Sequence, residues 1–242
     1  MTDVALAGAP TEPGAVELGV VLVTGGASGL GAAVARAVGA AGGLPVVLGR
    51  VAPGDGLDGE LVDLADTRAA ERAVTRAAER LGGLDAVVAA AGTDACGGLD
   101  EVAGEDWDRV VLVNLLGTAA VVRAALPHLR RSRGRVVTVA STLGLRALPA
   151  ATAYCASKFG VVGFTRALAA ETAGEIGVTL LVPGGMRTAF FEGRDERFRP
   201  APDAQLNRPE DVAEAVLFAL RQPPGCEIRE LVVAPSREPS WP

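Results

Sequence analysis

Gly19-Val20-Val21-Leu22-Val23-Thr24-Gly25-Gly26-Ala27-Ser28-Gly29-Leu30-Gly31 is the stretch on which the fold turns. Its first six residues are apolar and mostly β-branched, the composition of a strand buried on both faces. A glycine-rich turn follows, and the alanine-rich pattern over residues 32–41 reads as a helix. Strand, glycine turn and helix in this order make an anion cradle. Glycines let the backbone turn tightly and approach a pyrophosphate, and a helix N-terminus presents free N–H groups to it. The spacing is G-x-x-x-G-x-G rather than the commoner G-x-G-x-x-G, and a purely structural glycine turn is the competing reading.

Working outward, Pro45-Val46-Val47-Leu48-Gly49-Arg50 reads as a second strand. Its end is where an acidic residue would bind a ribose 2′-hydroxyl and where an arginine would bind a 2′-phosphate. No acid stands there; Arg50 does, which points to NADP(H), with NAD(H) still open and a solvated surface arginine as the alternative. Further strands are expected over 60–63, 85–92, 134–141, 177–182 and 230–233. Helices are expected over 67–81, 105–131 with a bend near Gly117, 152 to about 174, and 208–221 with Pro209 at its start. Strands alternating with helices imply a parallel sheet covered on both faces. Residues 186–207 form a polar connection carrying Phe190, Phe191 and Phe198, long enough to suggest a substrate loop or lid. Residues 1–17 read as a loose leader and 18–242 as one domain, with no internal repeat or linker.

Composition narrows the function classes. The chain has 242 residues, 49% hydrophobic and 21% charged, enough for a sizeable core. A net charge of -6 without a basic patch argues against nucleic acid as a partner. No apolar run is read as long enough to span a membrane. Cys96, Cys155 and Cys226 are scattered and odd in number, which fits a reducing, cytoplasmic setting rather than a disulfide framework. The single histidine, His128, excludes a multi-histidine metal site, and no metal is expected.

Tyr154-Cys155-Ala156-Ser157-Lys158 sits in the helix that starts near residue 152. Positions i and i+4 share a helix face, so the phenol and the ammonium project together. A free phenol is a poor acid–base group at neutral pH, and an adjacent cation lowers its pKa. Taken alone, a helical Tyr and Lys sharing a surface is the better reading of this spacing. Asn114, among apolar neighbours, is either a satisfied structural amide or a site residue. Ser141 and the Pro183-Gly184 turn both follow strands and so fall on the same sheet edge as the glycine turn.

With Thr24-Gly25-(x)3-Gly29-x-Gly31, Asn114, Ser141 and Tyr154-(x)3-Lys158 in this order, the chain resembles the short-chain dehydrogenase/reductase family from about Gly19 to Val233. The resemblance implies an α/β fold: a single Rossmann-like, doubly wound domain with a seven-stranded parallel sheet in the order 3-2-1-4-5-6-7. It implies an NAD(P)-dependent oxidoreductase that interconverts alcohols and carbonyls. Tyr154 would be the general acid/base. Lys158 would lower its pKa and hold the nicotinamide ribose, Ser141 would hydrogen-bond the substrate oxygen, and Asn114 would fix a relay water. Gly25, Ser28, Gly29, Leu30 and Gly31 would cradle the pyrophosphate, Asp63 and Leu64 would meet the adenine, and Ala91 and Gly92 would border the cofactor. Pro183, Gly184 and Thr188 match the family's P-G-x-x-x-T, whose threonine binds the carboxamide. A homo-oligomer, dimer or tetramer, is implied as well, packed through 117–131 and 152–173.

Two departures stand out. Ala89-Ala90-Ala91-Gly92 replaces the family's usual Asn-Asn-Ala-Gly, and Leu231-Val232-Val233-Ala234-Pro235-Ser236 replaces V-D-G-G. With Gly49-Arg50, this ending is similar to the branch of NADP-dependent 3-hydroxy acid and serine-type dehydrogenases. Arg146, Arg187 and Arg194 fall in loops that would flank the pocket, where any of them could pair with a substrate carboxylate or simply be solvated. The reading from another functional class is an NADP(H)-binding regulatory or scaffolding protein without turnover.

Overall fold

The computed structural model describes residues 16–241 except Pro53 and Asp55. The expected leader therefore lies almost wholly outside the described residues. Seven strands form one parallel sheet: β1 (Val20–Thr24), β2 (Leu44–Gly49), β3 (Asp58–Leu61), β4 (Ala86–Ala89), β5 (Arg135–Val139), β6 (Gly177–Pro183) and β7 (Glu230–Val233). Their order is β3-β2-β1-β4-β5-β6-β7, as the resemblance implies. Among the described residues six α-helices accompany them: α1 (Gly29–Ala40), α2 (Thr67–Leu81), α3 (Gly104–Val111), α4 (Thr118–Ser132), α5 (Thr152–Glu171) and α6 (Pro209–Leu220).

Alternation along each strand sends side chains to opposite faces. Val21 and Val23 of β1, Val47 of β2 and Val88 of β4 pack beneath α1 and α6. Leu22, Val46, Leu48 and Val87 pack beneath α2 and α4 on the other face. Each fully buried side chain of this kind contributes about 1.5–3 kcal/mol, against about 0–1 kcal/mol for an exposed ion pair. The two-sided sheet therefore sets the fold, and the surface arginine–carboxylate pairs decorate it. Helix ends follow local chemistry. The Asp66 carboxylate accepts from Ala69 N at 2.8 Å to cap α2, and Gly82 leaves it at φ +79°.

Some boundaries differ from the sequence reading. The third strand lies two residues earlier than expected, because this edge strand pairs only with β2 and carries the unpatterned Asp58-Gly59-Glu60-Leu61. α1 begins at Gly29 rather than residue 32, so the last glycines belong to the helix. The bend expected near Gly117 is a π-helical turn, Leu112–Gly117, between α3 and α4. A methyl at Gly117 would lie 2.8 Å from the Leu64 carbonyl oxygen, so only glycine allows this approach. The continuous helix Gly104–Ser132 is long and apolar enough, at mean hydropathy 1.8, to cross a membrane, contrary to the sequence reading. Val110, Ala120, Val121, Val122, Ala125 and Leu129 of this helix are buried within the protein.

Candidate active site

The strand order reverses between β1 and β4, and in a parallel sheet ligands bind outside the C-terminal strand ends at such a point. The loops after β1, β4, β5 and β6 all open on that edge. After β1, Gly25 (φ +71°) and Gly29 (φ +52°) adopt the left-handed backbone that glycine tolerates. A methyl at Gly31 would meet the Gly25 carbonyl oxygen, so α1 can seat on the turn only through glycine. Ser28 is exposed at the N-cap of α1 without a side-chain capping bond, and the first turn carries no acid. Leu30 is buried beneath. A methyl at Gly29 would touch Thr188, so the threonine of the P-G-x-x-x-T segment lies against the cradle. Ala91 closes the other side. Its N–H donates to Thr24 Oγ1 at 3.0 Å, a side-chain brace in the stretch where the family's asparagines are missing.

Arg50 is exposed just past the end of β2, close enough to act electrostatically on Asp63. Against the opposing push of burial, a hydrogen bond from Arg109, the Ala65 N–H and the charges of Arg109 and Arg50 hold the Asp63 carboxyl below its usual range. Arg109 Nη2 donates to Asp63 Oδ2 at 2.7 Å, a partner the sequence did not reveal. Leu64 is buried in the core beside the π turn.

The π turn places Asn114, fully buried, between two site loops. Its Oδ1 accepts from Thr93 N at 2.8 Å, and its Nδ2 donates to Thr93 O at 2.9 Å and to Ser157 Oγ at 3.0 Å. Ser157 Oγ donates in turn to the Tyr154 carbonyl at 2.8 Å. Asn114 is thus satisfied structurally, and through Ser157 it braces the helix of Tyr154 and Lys158. Lys158 is 4% exposed and donates from Nζ to the Val139 carbonyl at 2.8 Å. Its other ammonium donors have no protein acceptor among the described residues. A methyl at Gly92 would lie 3.7 Å from both Lys158 Nζ and Asn114 Oδ1, so Gly92 keeps open the space these groups share.

Burial pushes the Tyr154 phenol well above the usual tyrosine range. A hydrogen bond with Ser141 opposes this, the Asp94 charge adds to it and the Arg194 charge opposes it. Lys158 Nζ lies 5.6 Å from the Tyr154 ring centroid while it donates to the Val139 carbonyl. Burial also lowers the Lys158 ammonium to about 8, partly opposed by Asp94. Ser141 caps the short 3₁₀ turn Thr142–Gly144, with Leu143 N donating to its Oγ at 3.2 Å.

Two further segments border the site. Residues 186–207 leave and return through paired backbone at Met186 and Asn207, and Phe190 in this loop rests on Tyr154 with ring centroids 5.7 Å apart. The C-terminal segment folds back over the edge. Glu238 Oε2 accepts from Gly185 N at 2.7 Å, just beyond Pro183-Gly184, and its Oε1 accepts from Ser240 Oγ at 2.6 Å. With the Ser240 proton so committed, Thr142 Oγ1 donates to Ser240 Oγ at 2.7 Å. A methyl at Gly184 would strike Glu238, so that glycine makes room for the strap. This contact was not legible in the sequence.

The profile of the family described as short chain dehydrogenase matches residues 19–197. The chain is 33% identical to the glycine betaine reductase ATRR of Emericella nidulans over 95% of its own length, which spans only 20% of that protein. It is 32% identical to the 3-oxoacyl-[acyl-carrier-protein] reductase FabG of Thermotoga maritima, covering 82% of this chain and 89% of that one. A short chain dehydrogenase from Burkholderia cenocepacia, solved in complex with NADP, superposes with a TM-score of 0.78 at 28% identity, covering 90% and 97% of the two chains. The chain therefore belongs to the short-chain dehydrogenase/reductase family and is an oxidoreductase acting on CH–OH groups with a nicotinamide cofactor. The glycine cradle, the uncapped start of α1 and the unused donors of Lys158 fit such a dinucleotide.

Lys158 gives the site a signature in stability. A lysine whose folded pKa falls below its unfolded value of about 10.4 leaves the unfolded chain binding more protons between the two. Cofactor-free protein should gain stability as pH rises from about 8 towards 10.4, by up to a few kcal/mol. Lys158→Met should flatten that rise in urea denaturation followed across this window.

Proposed function

We propose that this chain interconverts an alcohol and a ketone or aldehyde with NADP(H), with Tyr154 as general acid/base. The observation that carries the reading is the meeting of Ser141 and Lys158 around the Tyr154 phenol, on the sheet edge that bears the glycine cradle. When bound, the cofactor supplies or accepts the hydride. In the reducing direction the carbonyl oxygen gains negative charge. Tyr154, whose burial keeps its proton on at neutral pH, delivers that proton from its hydroxyl. Ser141 donates a hydrogen bond to the same oxygen from a position fixed by its 3₁₀ turn. Lys158 holds the nicotinamide ribose through its unused donors, and Asn114 and Gly92 border the space for a relay water.

In the same reading Gly25, Ser28, Gly29, Leu30 and Gly31 take the pyrophosphate, and Pro183, Gly184 and Thr188 take the carboxamide. Asp63 and the backbone of buried Leu64 meet the adenine, Ala91 and Gly92 line the cofactor, and Arg50 takes a 2′-phosphate. Arg50 supports NADP(H) over NAD(H) because no carboxylate stands at the end of β2 to receive a 2′-hydroxyl. We place the enzyme in the cytoplasm as a homo-oligomer. The exposed apolar Leu116, in the π turn just before α4, and Phe159 of α5, each 45% accessible, support packing through this side of the protein. Sedimentation at micromolar concentration showing only monomer would refute that assembly.

Tyr154→Phe should lower kcat by about 10²–10⁴-fold while NADPH binding, followed by nucleotide fluorescence, is kept. A fully active variant overturns the assignment of Tyr154. Arg50→Asp should weaken NADPH binding by about tenfold or more and spare NADH. Equal binding of the two coenzymes by the wild type, or a preference for NADH, would make Arg50 a surface residue.

A further inference from the structure

The loop after β4 and the lid both carry charge into the pocket. The Asp94 side chain is only 7% exposed. Its Oδ1 accepts from Ala95 N at 2.8 Å, and its Oδ2 accepts from the Cys96 thiol at 3.2 Å. Arg194, 15% exposed, reaches across from the lid and places Nη2 3.0 Å from Asp94 Oδ2. That nitrogen is buried and lacks an aligned hydrogen bond, so the contact is one of charge against charge. The guanidinium lies over Phe190 at 4.5 Å and over Phe191 at 4.8 Å. Phe190 in turn rests on Tyr154. Asp94, Arg194, Phe190 and Tyr154 thus form one contiguous stack from the β4 loop, through the lid, to the phenol.

We propose that Asp94 and Arg194 are the specificity-determining pair of this pocket: they latch the lid aromatics onto Tyr154 and withhold Arg194 from substrate anions, so that the pocket takes uncharged carbonyl compounds. The inference rests on the carbonyl–alcohol reading above. A substrate carboxylate at Arg194 would have to displace Asp94, leaving a buried carboxylate unpaired, which is strongly unfavourable. An uncharged substrate leaves the pair, and the aromatics it holds, intact. Arg194 is in contact with the Tyr154 stack through Phe190 and is already committed to Asp94. This separates the chain from the hydroxy-acid branch that its strand endings resemble.

Hydrogen exchange of the cofactor-free protein tests the latch without needing turnover. Amides of residues 188–198 should exchange about tenfold faster or more in Asp94→Asn and in Arg194→Met than in wild type, with α2 amides unchanged. The double variant should be no faster than the faster single one. Benzoate should restore lid protection in Asp94→Asn, where Arg194 is released, but not in Arg194→Met or wild type, and uncharged benzamide should restore it in none. In turnover, wild type should prefer ethyl acetoacetate to acetoacetate, and Asp94→Asn should narrow that ratio by about tenfold. Unchanged lid exchange in both single variants overturns the latch. Benzoate that protects the wild-type lid, or fails to rescue Asp94→Asn, overturns the withholding of Arg194. Wild-type inactivity toward every carbonyl would instead sink the catalytic reading, and exchange would still judge the pair.

Discussion

A buried primary amide must find partners for both its donors and its acceptor, and the architecture of this site follows from how Asn114 does so. An ordinary α-helical turn follows the sheet without regard to the neighbouring loop. The π turn at Leu112–Gly117 accompanies an amide that clasps both backbone groups of Thr93 and, beyond them, Ser157. The Thr118 hydroxyl donates to the Asn114 carbonyl at 2.8 Å, adding a further bond where the helix changes pitch. One side chain thereby fixes the β4 loop, which carries Gly92 and Asp94, relative to the helix that carries Tyr154 and Lys158. Such turns recur at functional sites because they aim a side chain that a regular helix would not.

That clasp brings electrostatic consequences. Lys158 is buried and Tyr154 partly so, and the loss of water moves both towards their neutral forms: the phenol keeps its proton and the ammonium gives its proton up more readily. In the protein alone the two do not neutralise one another, since the lysine turns to the Val139 carbonyl. The pair is better described as two desolvated groups facing a shared opening than as a preformed ion pair. A polar ligand entering beside Gly92 would meet donors with few competing partners.

Much of this was legible in the sequence, for reasons that differ by element. The helix over 67–81 and the strand over 230–233 were read at their observed limits, the first because its charged and alanine faces alternate with helical period. The parallel order and the convergence of Gly25, Ser141, Lys158 and Pro183 on one edge follow from strand–helix alternation and family resemblance. The edge strand at Asp58–Leu61 was misplaced because one partner and a mixed composition leave it no period to read. The sequence missed Arg109 beside Asp63, Arg194 against Asp94, and Glu238 under Gly185 for a common reason. Each contact joins residues far apart in the chain, and an arginine or glutamate in a loop looks the same whether it is solvated or committed. The bond from Lys158 to the Val139 carbonyl was missed as well, because spacing shows that two groups share a face, not what else they touch.

Glu238 and Ser240 fasten the segment that follows β7 to the turns after β5 and β6, Ser240 on Thr142 beside Ser141 and Glu238 on Gly185 beside Gly184. This segment contributes nothing to the glycine cradle or to the helix of Tyr154 and Lys158, yet it is wired into the mouth of the cleft. Substitution of Glu238 or Ser240 would register as altered handling of substrate rather than as a change confined to the surface.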